Sequence, residues 1–355
     1  MKKIVVGMSG GVDSTTAAAI LAEQGYDVVG VGMRLFSAND TSSCCGISNM
    51  DDARRAAEKI GIPFYLIDYQ KEFKEKVIDY FIDSYIKAET PNPCIACNNH
   101  LKFGYMLEFA KSIGAEFVAT GHYAVVEKDP VTDRFLLKKG ADKNKDQSYF
   151  LYGLDQHQLS HTVFPLGTLT KNRTREIAKE FGLKVHSKPG SQDICFIEKD
   201  YKDFIIANSP YSQKPGRMIH RNGKILGTHK GLAFYTIGQR KGLGISSREP
   251  LYVIKLDVKN NEVIVGDEAS LYFKEVILKD LNWIGFEKLN KKIIIMCKAR
   301  YRQKDFEASV EPIKNSDKIN VMFKNPQKFI APGQAMVFYD NNTVIGGGTI
   351  EKIVP

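Results

Sequence analysis

The sequence contains no long apolar run, which argues against a membrane-spanning protein. No segment of its 355 residues approaches the roughly 20 consecutive apolar residues that a transmembrane helix requires. Two lysines follow Met1, as in a secretory signal, but the apolar run after them stops at Gly7 and is followed by Asp13. Internal repeats and low-complexity segments are missing as well. We therefore predict a globular cytoplasmic protein that has no membrane partner.

Cysteine is also scarce, and the few residues present do not fit a disulfide framework. The chain has six: Cys44, Cys45, Cys94, Cys97, Cys195 and Cys297. In a chain of this size without an export signal, they are better explained as free thiols, metal ligands or catalytic groups.

Acidic residues are fewer than basic ones, 41 against 50. The net charge is +9, and a basic surface attracts polyanions, among which nucleic acid is the leading candidate. The simpler alternative is that the charge serves solubility alone. The hydrophobic fraction of 43% and the charged fraction of 26% are ordinary for a globular chain, and the length allows about two or three domains.

The first part of the chain alternates apolar runs with helical patterns. Strands are predicted at 4–7, 27–33, 63–69 and 116–126, the last running into a Gly-His turn, and helices at 14–24, 50–61, 103–114 and 172–183. This order predicts an α/β domain with a doubly wound parallel sheet. Ligands of such sheets bind at the carboxyl ends of the strands, where Gly7–Ser14, Met33 and Gly121–His122 are expected to lie here.

The pattern changes after about residue 205, where short alternating runs are separated by turn signals. These runs are 220–227, 252–266, 292–302 and 343–350. They predict two small β-barrel-like domains that divide near 270–280. The predicted domains are therefore 1–204, 205–275 and 276–355.

The stretch SGGVDS (9–14) has the character of a phosphate-binding turn between a strand and a helix. It lacks the lysine of the Walker A pattern. Gly10 and Gly11 permit close approach of backbone N–H groups to an anion, Ser9 and Ser14 can donate hydroxyls, and the helix N-terminus faces the anion. Asp13 beside a phosphate suggests an intervening Mg²⁺. The alternative is a glycine-rich turn with an Asp or Ser N-cap.

SGGVDS resembles the PP-loop of the ATP pyrophosphatases, which have the adenine nucleotide alpha-hydrolase-like fold. The resemblance implies ATP cleavage between the α and β phosphates and transfer of AMP to a substrate oxygen. The implied ATP-binding residues are Gly7, Met8, Ser9, Gly10, Gly11, Val12, Asp13 and Ser14 in the loop, with Met33 and Gly121 lining the same cleft.

Two downstream segments contain cysteines in polar surroundings, Cys94 and Cys97 in TPNPCIACNNH and Cys195 in SQDICFI. A zinc site would need a second pair of ligands, which the sequence does not supply. All three thiols could hold part of an iron–sulfur cluster. Alternatively, Cys97 and Cys195 form a redox pair that carries sulfur. Burial in a core explains Cys297, which lies in an apolar strand.

The ordered set of motifs resembles the tRNA-specific 2-thiouridylases from Lys3 to Gly348. After the PP-loop these motifs are TPNPCIACN, KFG, ATGHYA, NKDQSYFLYGL, SQDICFI, YTIGQRKGLG and ARYRQ. The resemblance implies adenylation of the 2-oxygen of the wobble uracil and its replacement by sulfur. A protein donor would load a persulfide on Cys195, Cys97 would be the catalytic nucleophile, and a reductant would then reset the resulting disulfide. Lys102 and His122 are candidate cations for lowering a thiol pKa.

One departure from the family pattern concerns Cys94, where many members carry an acidic residue. It leaves the general acid–base assignment open and favours the cluster interpretation more than an acidic residue would. Cys44 and Cys45 lie in a Ser- and Asn-rich segment, 37–48, that predicts a loop.

The resemblance also implies tRNA contacts by Asn92, Pro93, Cys94, His122, Lys145, Asp146, Gln147, Arg300, Tyr301 and Gln334. A base attacked at a ring carbon must leave its stack, so a flipped wobble base is expected. The plainer alternatives are a solvated strand face at 300–302 and a polar loop at 145–147. Two other functions fit parts of the sequence: a PP-loop enzyme that adenylates a small metabolite, and a non-enzymatic tRNA-binding protein.

Overall fold

The computed structural model describes residues 1–35, 47–187, 194–197, 200–209 and 212–354, with the backbone alone at 47, 48 and 187. Its strands are β1 (Lys3–Gly7), β2 (Asp27–Arg34), β3 (Phe64–Asp68), β4 (Phe117–Ala119), β5 (Ala124–Lys128), β6 (Phe135–Lys139), β7 (Thr162–Val163), β8 (Gly216–His220), β9 (Ile225–His229), β10 (Tyr252–Asp257), β11 (Glu262–Gly266), β12 (Tyr272–Trp283), β13 (Ile293–Lys298), β14 (Phe306–Pro312), β15 (Ile319–Lys328), β16 (Ala335–Asp340) and β17 (Thr343–Val354). Its α-helices are α1 (Val12–Glu23), α2 (Ile47–Ile60), α3 (Gln70–Phe73), α4 (Asp79–Ile86), α5 (Pro93–Ala96), α6 (Met106–Ser112), α7 (Gln156–Ser160), α8 (Lys171–Glu180) and α9 (Tyr201–Asn208).

The N-terminal sheet is parallel throughout and has the order β3-β2-β1-β4-β7. Alternate residues of β1 enter different cores because successive side chains of a strand point to opposite faces. Ile4 and Val6 pack with α1, α2 and α8, whereas Val5 packs with α6 on the other face. The predicted doubly wound parallel sheet is confirmed.

The strand predicted at 116–126 is two strands that belong to different sheets. The chain leaves the parallel sheet after β4, turns at Gly121 and His122, and re-forms as β5. The hairpin β5–β6 then pairs with β17, with Val344 opposite Leu137. The apolar pattern continues through the turn, so the sequence alone did not reveal the change of sheet.

Two β modules follow, as the alternating runs predicted. A four-stranded sheet has the order β10-β11-β8-β9, in which β11 and β8 are parallel. Strands β12, β15, β14, β13, β16 and β17 form a closed antiparallel barrel, because β12 pairs with both β15 and β17. The hairpin β5–β6 extends this barrel sheet and ties it to the N-terminal domain.

Helix boundaries differ from the predicted ones where glycine or a π-turn intervenes. Helix α1 begins two residues before Ser14, with Gly11 as its N-cap and no side-chain cap. The helix predicted at 103–114 is a π-helical segment, Cys97–Tyr105, followed by α6. Gly61 follows α2 with φ +81, as expected for a helix-ending glycine. The predicted loop at 37–48, with Cys44 and Cys45, lies almost wholly outside the described residues.

None of the helices in the described ranges has the length and apolarity that a bilayer crossing requires.

Candidate active site

A cavity of about 1830 Å³ lies at the carboxyl ends of β1, β2 and β4, between the α/β domain and the two β modules. Its walls include the phosphate loop, the cysteine helix at 92–98, the segment around Cys195 and the barrel residues 298–305. Every candidate site residue predicted from the sequence lines it except Gly10. The structure thus brings together segments that are up to about 300 residues apart.

The phosphate loop is closed by its two serines. Ser9 N donates to Ser14 Oγ over 3.1 Å, and Ser14 Oγ lies 3.3 Å from Gly11 O. Because Gly11 is the N-cap, the N–H groups of the first turn, from Val12 to Ser14, have no acceptor within the helix. They line the cavity together with the positive end of the helix dipole, which suits an anion.

Two glycines are required here by close backbone approach. Gly10 has φ +72, and a Cβ on it would lie 2.0 Å from Asn49 O. A Cβ on Gly121 would lie 2.5 Å from Ser14 N, so the turn after β4 presses directly against the phosphate loop. Any larger residue at either position would displace the loop.

Asp13 forms an ion pair with a lysine that the sequence motifs did not predict. Lys171 Nζ, at the start of α8, lies 2.6 and 2.7 Å from the two carboxylate oxygens of Asp13. Tyr123 OH donates to the same carboxylate over 2.8 Å. Burial and the charge of Asp13 raise the pKa of Tyr123, which therefore stays protonated. The loop lacks the lysine of the Walker A pattern, but Lys171, which is 158 residues from Asp13 in the sequence, supplies a positive charge at the same place.

Cys97 lies at the start of the π-helical segment and is 8% exposed. A π-turn misaligns the helical hydrogen bonds and is common at functional sites. Gln158, on α7, compensates by donating from Nε2 to Asn99 O over 2.9 Å and to Phe103 O over 3.0 Å. On the same helix segment, Asn98 Nδ2 donates to Phe150 O over 2.9 Å. Two amide side chains thus fix the backbone that carries Cys97.

Replacing Gln158 with leucine should loosen the cysteine helix. Two backbone carbonyls lose their donor and Asp155 N, at the N-cap of α7, loses its acceptor. At roughly 1 kcal/mol per hydrogen bond, the free energy of unfolding falls by about 3 kcal/mol. We expect a lower Tm and a several-fold loss of the reaction that uses Cys97 in enzyme that remains folded. The matched control is Gln156→Leu on the same helix, since Gln156 holds β6 through Phe135 instead. An equal loss of activity in both variants at matched folded fraction would contradict this role.

Cys195 is half-buried and lines the same cavity as Cys97. The next residue, Phe196, anchors this segment among the rings of Phe73 and Phe81, at centroid distances of 5.8 and 5.2 Å. Residues 191–193 of the predicted SQDICFI motif lie outside the described ranges. Cys297 is buried in the barrel, away from the cavity, and burial raises its pKa strongly, as the core interpretation predicted.

Metal binding finds little support in the donor set. Within the described ranges, no three or more His, Cys, Asp or Glu side chains are grouped closely enough to hold a metal ion. The thiols of Cys94, Cys97 and Cys195 therefore do not form a preassembled iron–sulfur site. Both oxygens of Asp13 already contact Lys171, so the expected Mg²⁺ ligand is engaged by an ammonium group.

His122 is neutral, which corrects its candidacy as a cation near a thiol. It is 8% exposed, and burial together with the charge of Lys102 lowers its pKa well below the usual value. Its Nδ1 lies 2.7 Å from Thr120 Oγ1, and its ring packs against Phe103 and Phe164. Lys102 remains the candidate cation on this wall.

The cavity wall is strongly basic. Four lining side chains are acidic and ten are basic. The basic ones are Lys102, Lys143, Lys145, Lys171, Lys202, Lys241, Lys298, Arg300, Arg302 and Lys304. Arg300 lies over the ring of Phe329 at 5.1 Å, and Tyr301 packs on Phe150 at 4.6 Å. Flat cationic and aromatic groups of this kind suit phosphates and bases.

Three residues that were predicted to contact tRNA use side-chain polar atoms in hydrogen bonds within the protein. The carboxylate of Asp146, which is buried, accepts from Gly140 N and Ser148 N over 3.0 and 3.1 Å. Gln147 pairs with the backbone of Tyr123, while its neighbour Lys145 is exposed. Asp146 and Gln147 thus line the cavity while their side-chain oxygens accept hydrogen bonds from the protein's own backbone.

The third is Gln334, whose Nε2 donates to Thr90 O over 3.2 Å. Thr90 N donates in turn to Pro332 O over 2.7 Å. The loop before β16 thereby clamps the segment that leads to Asn92, Pro93 and the cysteines. The C-terminal barrel positions the cysteine helix from outside the α/β domain.

The site residues that the sequence did not reveal share one feature. Lys171, Tyr123 and Gln158 all act on segments at least 50 residues away. Lys171 follows Thr170, a recognisable N-cap, so the start of α8 was predictable but its partner Asp13 was not.

Comparisons with known proteins cover almost the entire chain. Residues 2–199 match the family described as "tRNA methyl transferase HUP domain". Residues 202–267 match the "tRNA methyl transferase PRC-barrel domain", and residues 273–350 match the "Aminomethyltransferase beta-barrel domain".

Full-length relatives are more specific. The chain is 49% identical over 356 residues to "tRNA-specific 2-thiouridylase MnmA" of Clostridioides difficile (strain 630), covering 99% of this chain and 98% of that protein. It is 47% identical to the protein of the same name from Acetivibrio thermocellus, with 99% of both chains covered. The protein of that name from Clostridium beijerinckii is 48% identical, again over 99% of both chains. This chain belongs to the tRNA-specific 2-thiouridylase family.

Proposed function

We propose that this protein catalyses ATP-dependent 2-thiolation of the wobble uridine of tRNA, yielding 2-thiouridine, AMP and pyrophosphate. The observation that carries the proposal is the shared cavity, whose walls hold a phosphate loop together with Cys97 and Cys195 from distant segments. A methyl transfer, which the family descriptions name, would leave both cysteines and the phosphate loop without a role.

Adenylation is the step assigned to the phosphate loop. The N–H groups of Val12, Asp13 and Ser14 bind the β and γ phosphates of ATP, and the Lys171 ammonium neutralises charge on the departing pyrophosphate. The 2-oxygen of the wobble uracil attacks the α phosphorus, and the bond to pyrophosphate breaks. An oxygen that was a poor leaving group becomes part of AMP, which leaves readily.

Sulfur transfer is assigned to the two cysteines. A persulfide on Cys195, loaded by a donor protein, is attacked at its inner sulfur by the Cys97 thiolate. The S–S bond of the persulfide breaks, and the terminal sulfur leaves as hydrosulfide, which adds to C2 of the activated uracil and expels AMP. Cys97 and Cys195 are left as a disulfide, so a reductant must supply two electrons for each turnover.

Cavity size and charge favour a macromolecular substrate. Small-molecule pockets typically enclose about 300–1,000 Å³, whereas this cavity is about 1830 Å³ and the charged side chains on its wall are mostly basic. A PP-loop enzyme for a small metabolite needs neither feature, and a non-enzymatic tRNA-binding protein leaves the phosphate loop idle. The exposed Lys145 and the half-buried Arg300 and Tyr301 are the proposed tRNA contacts, with the wobble base flipped toward Cys97.

We assign catalysis to 1–204 and the holding of tRNA to the β domains at 205–275 and 276–355. The hairpin β5–β6 is the exception, since it lies in the first segment but extends the barrel sheet. We propose that the reaction takes place in the cytoplasm.

The direct test is reconstitution with ATP, a persulfide donor and unmodified tRNA that carries a wobble uridine. Nucleoside mass spectrometry should find 2-thiouridine at the wobble position, with one pyrophosphate released per sulfur incorporated. Transfer RNA with cytidine at that position is the substrate control. Pyrophosphate release without 2-thiouridine under sulfur loading, or no tRNA-dependent release at all, would overturn the proposal.

A further inference from the structure

Three thiols line the cavity, and they differ in how far a large molecule can reach them. Cys94 is exposed, Cys195 is half-buried and Cys97 is buried. Cys94 and Cys97 are three residues apart in one continuous helical stretch, with Cys94 in α5 and Cys97 at the start of the π-helical segment. Residues three apart lie on the same face of a helix, one turn from each other.

The disulfide that the proposed reaction leaves behind is poorly placed for reduction. One of its sulfurs, on Cys97, belongs to a side chain that is 8% exposed. The other, on Cys195, lies beside the aromatic cluster around Phe196. A protein dithiol must bring its own sulfur into line with the S–S bond, so access limits the rate of this exchange.

We propose that Cys94 is a resolving thiol that moves this disulfide to the exposed end of the cysteine helix. The inference rests on the proposed function, which supplies the Cys97–Cys195 disulfide. The Cys94 thiolate attacks the Cys97 sulfur, a Cys94–Cys97 bond forms, and Cys195 leaves as a thiolate. This exchange consumes no electrons. An external protein dithiol then attacks the exposed Cys94 sulfur, releases Cys97, and closes its own disulfide, which supplies the two electrons.

Helix geometry permits the exchange with a small movement. Side chains at this spacing have Cβ atoms about 5–6 Å apart, and a disulfide needs about 3.5–4.5 Å, so an approach of about 1–2 Å suffices. Helix α5 is four residues long and adjoins a π-turn, so its hydrogen bonding is already irregular at the point that must tighten. The same C-x-x-C spacing serves disulfide exchange in thioredoxin-like proteins.

The exchange also separates persulfide loading on Cys195 from reduction of the disulfide. Cys195 becomes a free thiolate before the external reductant acts, so the next persulfide can be loaded while Cys97 is still oxidised. Loading and reduction then take place at different residues, because the external dithiol reacts at the exposed Cys94 and the persulfide is held on the half-buried Cys195.

The test compares the wild-type protein with Cys94→Ser in a single turnover. Each protein is loaded on Cys195 with inorganic polysulfide, freed of excess, and mixed with ATP and unmodified tRNA without reductant. Free thiols are then alkylated and disulfides mapped by mass spectrometry. Wild type should show a Cys94–Cys97 disulfide with Cys195 alkylated. In Cys94→Ser, the disulfide found for each 2-thiouridine formed should be Cys97–Cys195.

Repeated turnover supplies the second readout. With a thioredoxin-type dithiol protein as reductant, Cys94→Ser should turn over at least about tenfold more slowly than wild type. A small dithiol that enters the cavity should restore much of the rate. Cys297→Ala, outside the cavity, should match wild type throughout.

Two results overturn the inference while leaving the proposed function intact: a Cys97–Cys195 disulfide in wild type with Cys94 alkylated, or unchanged repeated turnover in Cys94→Ser. Loss of single-turnover thiolation in folded Cys94→Ser also overturns it, because Cys94 would then act before the disulfide forms. Absence of 2-thiouridine in wild type is a failure of the proposed function itself.

Discussion

Cys97→Ser should lose 2-thiouridine formation by about a thousandfold or more, yet still release pyrophosphate when given ATP and tRNA. A serine hydroxyl at position 97 cannot attack a persulfide at neutral pH, because its oxygen stays protonated and forms no stable bond to that sulfur. The phosphate loop belongs to a separate wall of the cavity and is untouched by the change. Adenylation should therefore proceed to about one pyrophosphate per tRNA and then stop.

The measurement is parallel assay of pyrophosphate and of 2-thiouridine in the same reaction. Cys297→Ala is the control for removing a thiol, since Cys297 is buried in the barrel and faces a different core. Thiolation that persists in folded Cys97→Ser would remove Cys97 from the mechanism.

Lys171→Met should have the second largest effect, on the ATP half of the reaction. The side chain keeps most of its apolar length but loses the charge that lies 2.6 Å from Asp13. Two consequences add together: pyrophosphate loses its counter-charge, and Asp13 presents an unpaired carboxylate to an incoming triphosphate. We expect tRNA-dependent pyrophosphate release to fall by about 10²–10³-fold, with a higher KM for ATP.

The matched control is Lys179→Met, an exposed position on the same helix. The double variant Asp13→Asn/Lys171→Met tests the pairing, because removing the unpaired carboxylate should lower the KM for ATP relative to Lys171→Met alone. Additive losses in the double variant would show that the two residues act independently. An unchanged rate in Lys171→Met would exclude the lysine from the phosphate site.

The sequence predicted those strands, turns and helices that depend mainly on residues close together in the chain. The strand of Ile4–Val6, the glycine turn and the helix after it follow from apolar runs and backbone freedom, and the alternating runs after 205 are strands in the structure. The PP-loop could be located because its two glycines, its two serines and Asp13 all lie within one hexapeptide.

Interactions between distant segments could not be read in the same way. The break between β4 and β5 leaves no mark in the apolar pattern, since both pieces are buried on some face. Lys171 and Gln158 are ordinary polar residues on exposed-looking helices until the fold places them beside Asp13 and Asn99. An ordinary histidine titrates near neutral pH, and only the burial of His122 beside Lys102 lowers its pKa well below that range.

The most direct measurement of the account follows the oxygen that sulfur replaces. Transfer RNA carrying oxygen-18 on C2 of the wobble uracil is converted by the enzyme with ATP and a persulfide donor, and each product is analysed by mass spectrometry. Adenylation of the 2-oxygen predicts one oxygen-18 in AMP for each 2-thiouridine formed, with unlabelled pyrophosphate. Oxygen-18 released into water, or AMP that carries none, would contradict it.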